Sequence, residues 1–132
     1  MIPKFRVWDK ENKKMLVVND ICNLFWENTF LECYELVPDP KGKREYELIN
    51  HRIDFEDCVL MQSTGLLDVN GKEIWEGDVV RMHSGELLPV SLNHGMFEPI
   101  CYYISNVFEV VGNVFEQPEL TEHPDFRETT ND

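Results

Sequence analysis

Residues 60–82 constrain the fold more than any other segment, because they contain two turns at fixed positions. Asn70 and Gly71 are the residue types that best adopt positive φ at the centre of a type I′ turn, so they predict a two-residue β-hairpin. Gly77 and Asp78 predict a second sharp turn, in which Gly gives backbone freedom and Asp accepts hydrogen bonds from nearby amides. The segment specifies antiparallel strands and contains no catalytic motif.

Two further hairpins are predicted in the first half of the chain. Residues 5–8 alternate in polarity, and residues 15–18 form the returning strand. Because residues 15–18 are apolar on both sides, we expect their second face to be well buried or to pack on another chain. Residues 31–37 and 45–49 form the second hairpin around a Pro- and Gly-containing loop.

Three segments give a less definite pattern. Residues 19–30 fit either a short helix or a strand, and we favour a strand or irregular structure. Residues 53–57 fit one helical turn. In residues 86–92, Pro89 cannot donate a hydrogen bond, which predicts a sheet edge or a bulge there.

The remaining residues continue in short strands. Residues 97–104 predict an aromatic-rich strand, and residues 108–116 predict a strand with a bulge or barrel corner at Gly112. No strand is followed by a convincing long amphipathic helix, which favours a small barrel or sandwich. We therefore predict a mainly β protein with a small barrel in its C-terminal half and a β-hairpin-rich N-terminal region packed on it.

The length of 132 residues is typical of one domain. We predict a compact domain over residues 1–120, with a hairpin region at 1–58, a barrel region at 59–120 and a polar, flexible tail at 121–132. Hydrophobic residues make up 42% of the chain, which is enough for a core without disulfides or a structural metal.

The cysteines are Cys22, Cys33, Cys58 and Cys101. No two of them form a C-x-x-C pair, so a zinc site has little support and reduced thiols buried in the core are expected, Cys101 on its aromatic strand included. The sequence shows neither a signal peptide nor an apolar run that could span a membrane. We expect a soluble protein of the bacterial cytoplasm with no membrane association.

The net charge is −13 and is unevenly distributed. Residues 1–14 contain five basic and two acidic side chains, a balance of 5 − 2 = +3, so the remainder carries −16. Such a field repels phosphate backbones, which makes nucleic-acid binding an unlikely function. The acidity serves solubility, or it attracts a basic partner by imitating a polyanion.

Two groups of residues could carry chemistry. His51, Asp54 and Asp57 have the spacing of neighbours on a helix and could offer ligands to a divalent cation, although a solvated acidic turn explains them better. A second group could pair a thiol with an imidazole, although no motif brings its members together: His83, His94 and Cys101. We therefore expect no catalytic residue, no metal site and no cofactor.

Three blocks of sequence together resemble the YopX family of phage and prophage proteins: residues 5–9, residues 60–66 with 70–78, and residues 108–120. The resemblance implies a mainly β protein with an SH3-type barrel and a prophage-borne gene, and it implies no established activity. Ser63 departs from the family pattern, which commonly has an aromatic residue there. Residues 19–57 and 83–107 match no motif and could carry a protein-specific site.

The functional prediction is a non-enzymatic binding or assembly protein that associates with itself or another protein. The possible interaction surface consists of basic and aromatic residues: Lys4, Arg6, Trp8 and Trp75. The alternatives are an acidic decoy that binds a basic host protein, and a metal-dependent or thiol enzyme.

Overall fold

The computed structural model describes residues 4–24, 27–38, 41–43, 45–102 and 107–128. It confirms a mainly β protein, and the described residues contain eleven strands and three short 3₁₀ helices. The chain divides into two compact units with a boundary between Leu60 and Met61. No helix in the described part of the chain has the length and apolar character needed to cross a membrane.

The N-terminal unit is one sheet built from consecutive hairpins. Its strands are β1 (Phe5–Asp9), β2 (Lys14–Cys22), β3 (Phe30–Pro38), β4 (Tyr46–Asp54) and the start of β5 (Cys58–Leu67). The strand order is β4-β3-β2-β1-β5, and the first four strands pair antiparallel.

Both predicted N-terminal hairpins are therefore confirmed. In the ambiguous segment 19–30, strand β2 continues to Cys22 and strand β3 begins at Phe30, while residues 25 and 26 lie outside the described part. The helical turn predicted at 53–57 is a 3₁₀ helix over Phe55–Asp57.

One face of the N-terminal sheet forms its hydrophobic core. The buried side chains come from all five strands: Val7, Leu16, Leu31, Cys33, Ile53 and Cys58. Side chains alternate between the two faces of a strand, so this set fixes which residues point to the opposite face.

The carboxylate of Asp9 organises the turn between β1 and β2. It accepts hydrogen bonds from the backbone amides of Glu11 and Asn12 at 3.0 and 3.2 Å, and from Asn12 Nδ2 at 2.9 Å. Burial raises the pKa of Asp9, but these hydrogen bonds outweigh burial and hold the pKa below its ordinary value. The turn therefore depends on an ionised side chain.

The C-terminal unit contains shorter strands in several small antiparallel sheets. After β5 come β6 (Glu73–Trp75), β7 (Asp78–Arg81), β8 (Leu87–Pro89), β9 (Ser91–Asn93), β10 (Met96–Glu98) and β11 (Glu109–Asn113). The paired sets are β5 with β6, β9 with β10, and β11-β7-β8. The core of this unit contains six buried residues: Ile74, Val80, Leu88, Val90, Ile100 and Phe108.

The hairpin between β5 and β6 is present, but its turn is not the predicted two-residue type I′ turn. Positive φ is found at Gly71 (+82°) and not at Asn70. The Asp68 amide donates to the Lys72 carbonyl at 2.7 Å, and the Gly71 amide donates to the Asp68 carbonyl at 3.0 Å. The loop is longer because the Asp68 carboxylate accepts hydrogen bonds from the backbone amides of Asn70 and Lys72. The Asn-Gly pattern does not reveal these hydrogen bonds.

Asp68 is 3% exposed and connects this turn to β11. Its Oδ1 accepts the amides of Asn70 and Lys72, both at 2.8 Å, and its Oδ2 accepts the amide of Val110 at 2.9 Å. Burial raises the pKa of Asp68, but the hydrogen bonds from the three amides outweigh burial, so the pKa is below its ordinary value.

Gly77 and Asp78 lie at the turn between β6 and β7. Gly77 has a φ of +89°, and the buried Asp78 accepts the Trp75 amide on Oδ2 at 2.8 Å. These contacts match the roles that the sequence gives to Gly and Asp at this turn.

Other parts of the C-terminal unit differ from the predicted strands. The strand predicted over 97–104 ends at Glu98 and is followed by a 3₁₀ helix over Ile100–Tyr102, while residues 103 and 104 lie outside the described part. The strand predicted over 86–92 is divided into β8 and β9 at Val90. A register shift between Val110 and Gly112 confirms the predicted bulge.

The segment predicted as a polar tail has defined backbone contacts up to Arg127. The 3₁₀ helix Pro118–Glu122 continues beyond residue 120. Further on, the Leu87 amide donates to the Asp125 carbonyl, and the Arg127 amide donates to the Leu87 carbonyl, both at 2.8 Å.

Candidate interaction surface

The face of the N-terminal sheet opposite its core is called here the outer face. Strand registers place Arg6, Val17, Tyr34 and Asn50 directly opposite one another in a row across β1 to β4. Residues that lie opposite in an antiparallel sheet point to the same face. Since Val7 and Leu16 point into the core, this row lies on the outer face.

Several apolar side chains lie on the outer face where a solvated sheet ordinarily has polar residues. Val17 is 42% exposed, Leu48 is 52% exposed and Tyr46 is 51% exposed. Trp8 and Tyr34 are half-buried on the same face. An apolar surface rimmed by charged residues is typical of an interaction site.

The sequence predicted part of this surface. The two-sided apolar pattern of residues 15–18 indicated a second packed face, and the structure buries Leu16 while it exposes Val17. Tyr46 and Leu48 were missed because their strand also fits an ordinary exposed hairpin. The alternation of apolar residues at 46 and 48 was the available signal.

The residues proposed from sequence as an interaction surface are divided between the two units. Lys4, Arg6 and Trp8 lie at or in β1, where Lys4 is exposed and Arg6 and Trp8 are half-buried. Trp75 lies in β6 of the C-terminal unit and is half-buried.

A charged cluster connects β2, β3 and β4 on the side of the core-facing residues. Glu35 Oε1 lies 2.9 Å from His51 Nε2 and 3.2 Å from Lys14 Nζ. Hydrogen bonds from His51 and Lys14 lower the pKa of Glu35 below its ordinary value. The cluster stabilises neighbouring strands and includes no nucleophile.

A second cluster lies on the outer face near the end of β2. Asp20, Cys22 and Glu32 each offer one ligand atom, and these atoms lie within 4.8 Å of one another. Partial burial, together with the negative charges of Asp20 and Glu32, raises the pKa of the Cys22 thiol. The positive charge of the nearby Arg52 lowers the pKa of the Cys22 thiol. The same charge repels a cation and so weakens the attraction of this cluster for one.

The three residues with the spacing of a helical cation site, His51, Asp54 and Asp57, do not have that helical arrangement. His51 and Asp54 lie in β4, and Asp57 lies in the following 3₁₀ helix. Because His51 and Asp54 are three residues apart in a strand, their side chains point to opposite faces. His51 instead contacts Glu35.

The residues that could have paired a thiol with an imidazole also differ from their expected setting. Cys101 lies in a 3₁₀ helix and is exposed, so the expectation of a buried thiol on an aromatic strand is wrong. His83 lies between β7 and β8, and His94 lies between β9 and β10. All four cysteines are free thiols.

These features define a small antiparallel β protein with two compact units and an apolar outer face on its N-terminal sheet. The model of the YopX protein family matches residues 4–122, so the chain belongs to this family. The match extends over residues 19–57 and 83–107, which the sequence blocks had left unassigned. At the atypical position 63, the Ser63 hydroxyl donates to Glu73 and accepts the Gly65 amide.

A solved structure has a similar fold. The crystal structure of protein EF1440 from Enterococcus faecalis is similar to 91% of this chain and 98% of its own, with a TM-score of 0.60 and 26% sequence identity. A comparison with curated proteins found no match.

Proposed function

We propose that the protein is a phage- or prophage-related binding or assembly protein, without enzymatic activity, that self-associates. Its membership of the YopX family supports the phage relation. The observation that carries the binding role is the apolar outer face of the N-terminal sheet. Burying apolar surface is the main favourable contribution to most protein association, so Val17, Leu48 and Tyr46 favour a protein partner.

Charge supports the choice of partner. Lys4 and Arg6 belong to the basic N-terminal segment, residues 1–14, and the rest of the chain carries a negative balance of −16. Opposite charges on two copies attract one another, whereas the net charge of −13 repels nucleic acid. A protein partner, including a second copy of the chain, is therefore favoured over DNA or RNA.

The test is sedimentation velocity of the full chain over a wide concentration range at low and high salt. We expect a reversible increase in mass with concentration. The increase should be smaller at high salt, because salt screens attraction between exposed charges. A strict monomer under all these conditions would contradict the self-association.

The high negative charge favours a second candidate, an acidic decoy that occupies a basic host protein. A pull-down from host lysate at low and high salt separates the two functions. A decoy retains basic nucleic-acid-binding proteins at low salt and releases them at high salt and when DNA is added.

For the C-terminal unit we propose the SH3-type barrel that the family resemblance implies, and for the whole protein a location in the bacterial cytoplasm. The short antiparallel strands around Ile74, Val80 and Leu88 support the barrel. The test is an experimental structure: continuous backbone hydrogen bonding from the β11-β7-β8 sheet to the β5–β6 pair would support the barrel, and separate sheets would contradict it.

A further inference from the structure

Strand β4 is a long edge of the N-terminal sheet. It is the terminal strand in the order, and in the described part of the chain it pairs with β3 and with no other strand. Its nine residues pair with β3 without a register shift. An edge strand exposes backbone amides and carbonyls that can pair with another chain.

The edge lacks the proline and the bulge by which many proteins prevent such pairing, and its one acidic residue on the core-facing side is Glu47. β4 contains neither Pro nor Gly, and its pairing with β3 contains no bulge. It exposes Tyr46, Leu48 and Ile49 to solvent. Proteins ordinarily protect a long edge with proline, a bulge, inward-pointing charges or a covering loop.

We infer that two copies of the chain pair antiparallel through β4, about a twofold axis that passes beside Ile49. This inference rests on the proposed self-association. Around an axis perpendicular to the sheet, residues of equal parity lie opposite one another on the same face. Centring the pair on Ile49 places Glu47 opposite the partner's His51, and Tyr46 opposite the partner's Arg52.

Complementary chemistry distinguishes this register from its neighbours. Centring on Leu48 would place Glu47 opposite Ile49 and would leave His51 opposite Glu45, which lies outside the strand. Centring on Asn50 would place Glu47 opposite Ile53. The Ile49 register instead gives a carboxylate an imidazole partner twice, because the interface is symmetric.

Arg52 supports the same register. Its guanidinium lies 3.6 Å from the centroid of the Phe30 ring on its own chain. Arg52 is exposed, so the opposite side of the guanidinium can receive the partner's Tyr46 as a second aromatic contact. The pairing would also join the two outer faces into one continuous surface.

A disulfide placed on the axis tests this arrangement in the full chain. The exposed Cys101 and the half-buried Cys22 are first replaced by Ser, and Ile49→Cys is then introduced. Opposite residues in an antiparallel pair have Cα atoms about 4.5–5.5 Å apart, which suits a disulfide. We expect oxidation to give a covalent dimer that a reductant reverses.

Glu47→Cys in the same background is the matched control. Its two copies would be offset by four residues, about 13 Å, which is too far for a disulfide. Cross-linking of Glu47→Cys as efficiently as Ile49→Cys would overturn the register.

A second variant tests the edge without oxidation. Ile49→Lys places two like charges opposite each other and should raise the dimer dissociation constant about ten-fold or more. Val69→Lys, at an exposed apolar residue of the C-terminal unit, should leave the constant unchanged. If the parent self-associates while Ile49→Lys has no effect and Ile49→Cys does not cross-link, the β4 pairing is wrong and the proposed function stands. A monomeric parent would overturn both.

Discussion

The substitution Asp68→Asn tests whether a buried carboxylate holds the β5–β6 turn against β11. Asn keeps the shape and one oxygen of Asp, so its Oδ1 can still accept the amides of Asn70 and Lys72. Its Nδ2, however, would face the Val110 amide, which now donates to Oδ2 at 2.9 Å. The variant therefore loses one acceptor and places two donors in contact.

The magnitude follows from these contacts. A hydrogen bond to a charged group contributes about 1.5–3 kcal/mol, and a buried donor left unsatisfied costs about 1–3 kcal/mol. We expect the free energy of unfolding to fall by about 3 kcal/mol, a large share of the roughly 5–15 kcal/mol that stabilises an ordinary domain.

The assay combines urea unfolding at pH 7 with amide hydrogen exchange, which locates the change. Exchange should accelerate at Val110, Asn70 and Lys72. Glu109→Gln removes a charge from an exposed neighbour of Val110 and should change stability by less than about 0.5 kcal/mol. If Asp68→Asn costs less than about 1 kcal/mol and Val110 remains protected, the reasoning is refuted.

The folded-state pKa values of Asp9 and Asp68 are below the ordinary 3.8, so both side chains stabilise the fold above that pH and lose this contribution as the pH falls through their folded-state values. In urea titrations from pH 6 to 2, the free energy of unfolding should therefore decline less in Asp68→Asn than in the parent chain. Burial raises the pKa of Cys33 to about 11, so a thiol reagent at pH 8 should label exposed Cys101 and leave Cys33 unmodified until the protein unfolds, and equal labelling rates would contradict this. Gly112→Ala places a methyl group 2.7 Å from Gln117 Oε1 and 2.8 Å from a Leu120 methyl, so both side-chain ends must move. Because Gln117 Oε1 accepts a hydrogen bond from the Asn113 amide at 3.0 Å, its movement should cost about 1 kcal/mol in urea unfolding, and unchanged stability would contradict this.

The sequence predicted the elements that local chemistry determines. Alternating residues identified the hairpins of the N-terminal sheet, and Gly112 identified the bulge in β11. The turn before β6 was assigned the wrong type, because the contact of Asp68 with Val110 spans 42 residues and no local pattern contains it.

Other features depended on tertiary context. The aromatic pattern of residues 97–104 predicted a strand, but the chain changes direction after Glu98 and leaves Cys101 exposed. The outer face was predicted at residues 15–18, where both sides of the strand are apolar. Its extension to Tyr46 and Leu48 required the registers of β3 with β2 and β4, which the sequence alone does not provide.

Sedimentation equilibrium of the full chain tests most directly whether the N-terminal sheet mediates assembly. The parent should show a reversible monomer–dimer equilibrium, and Ile49→Lys should remain monomeric at concentrations where Val69→Lys dimerises. A parent chain whose mass stays that of one copy at every concentration, at low and at high salt, would contradict the account.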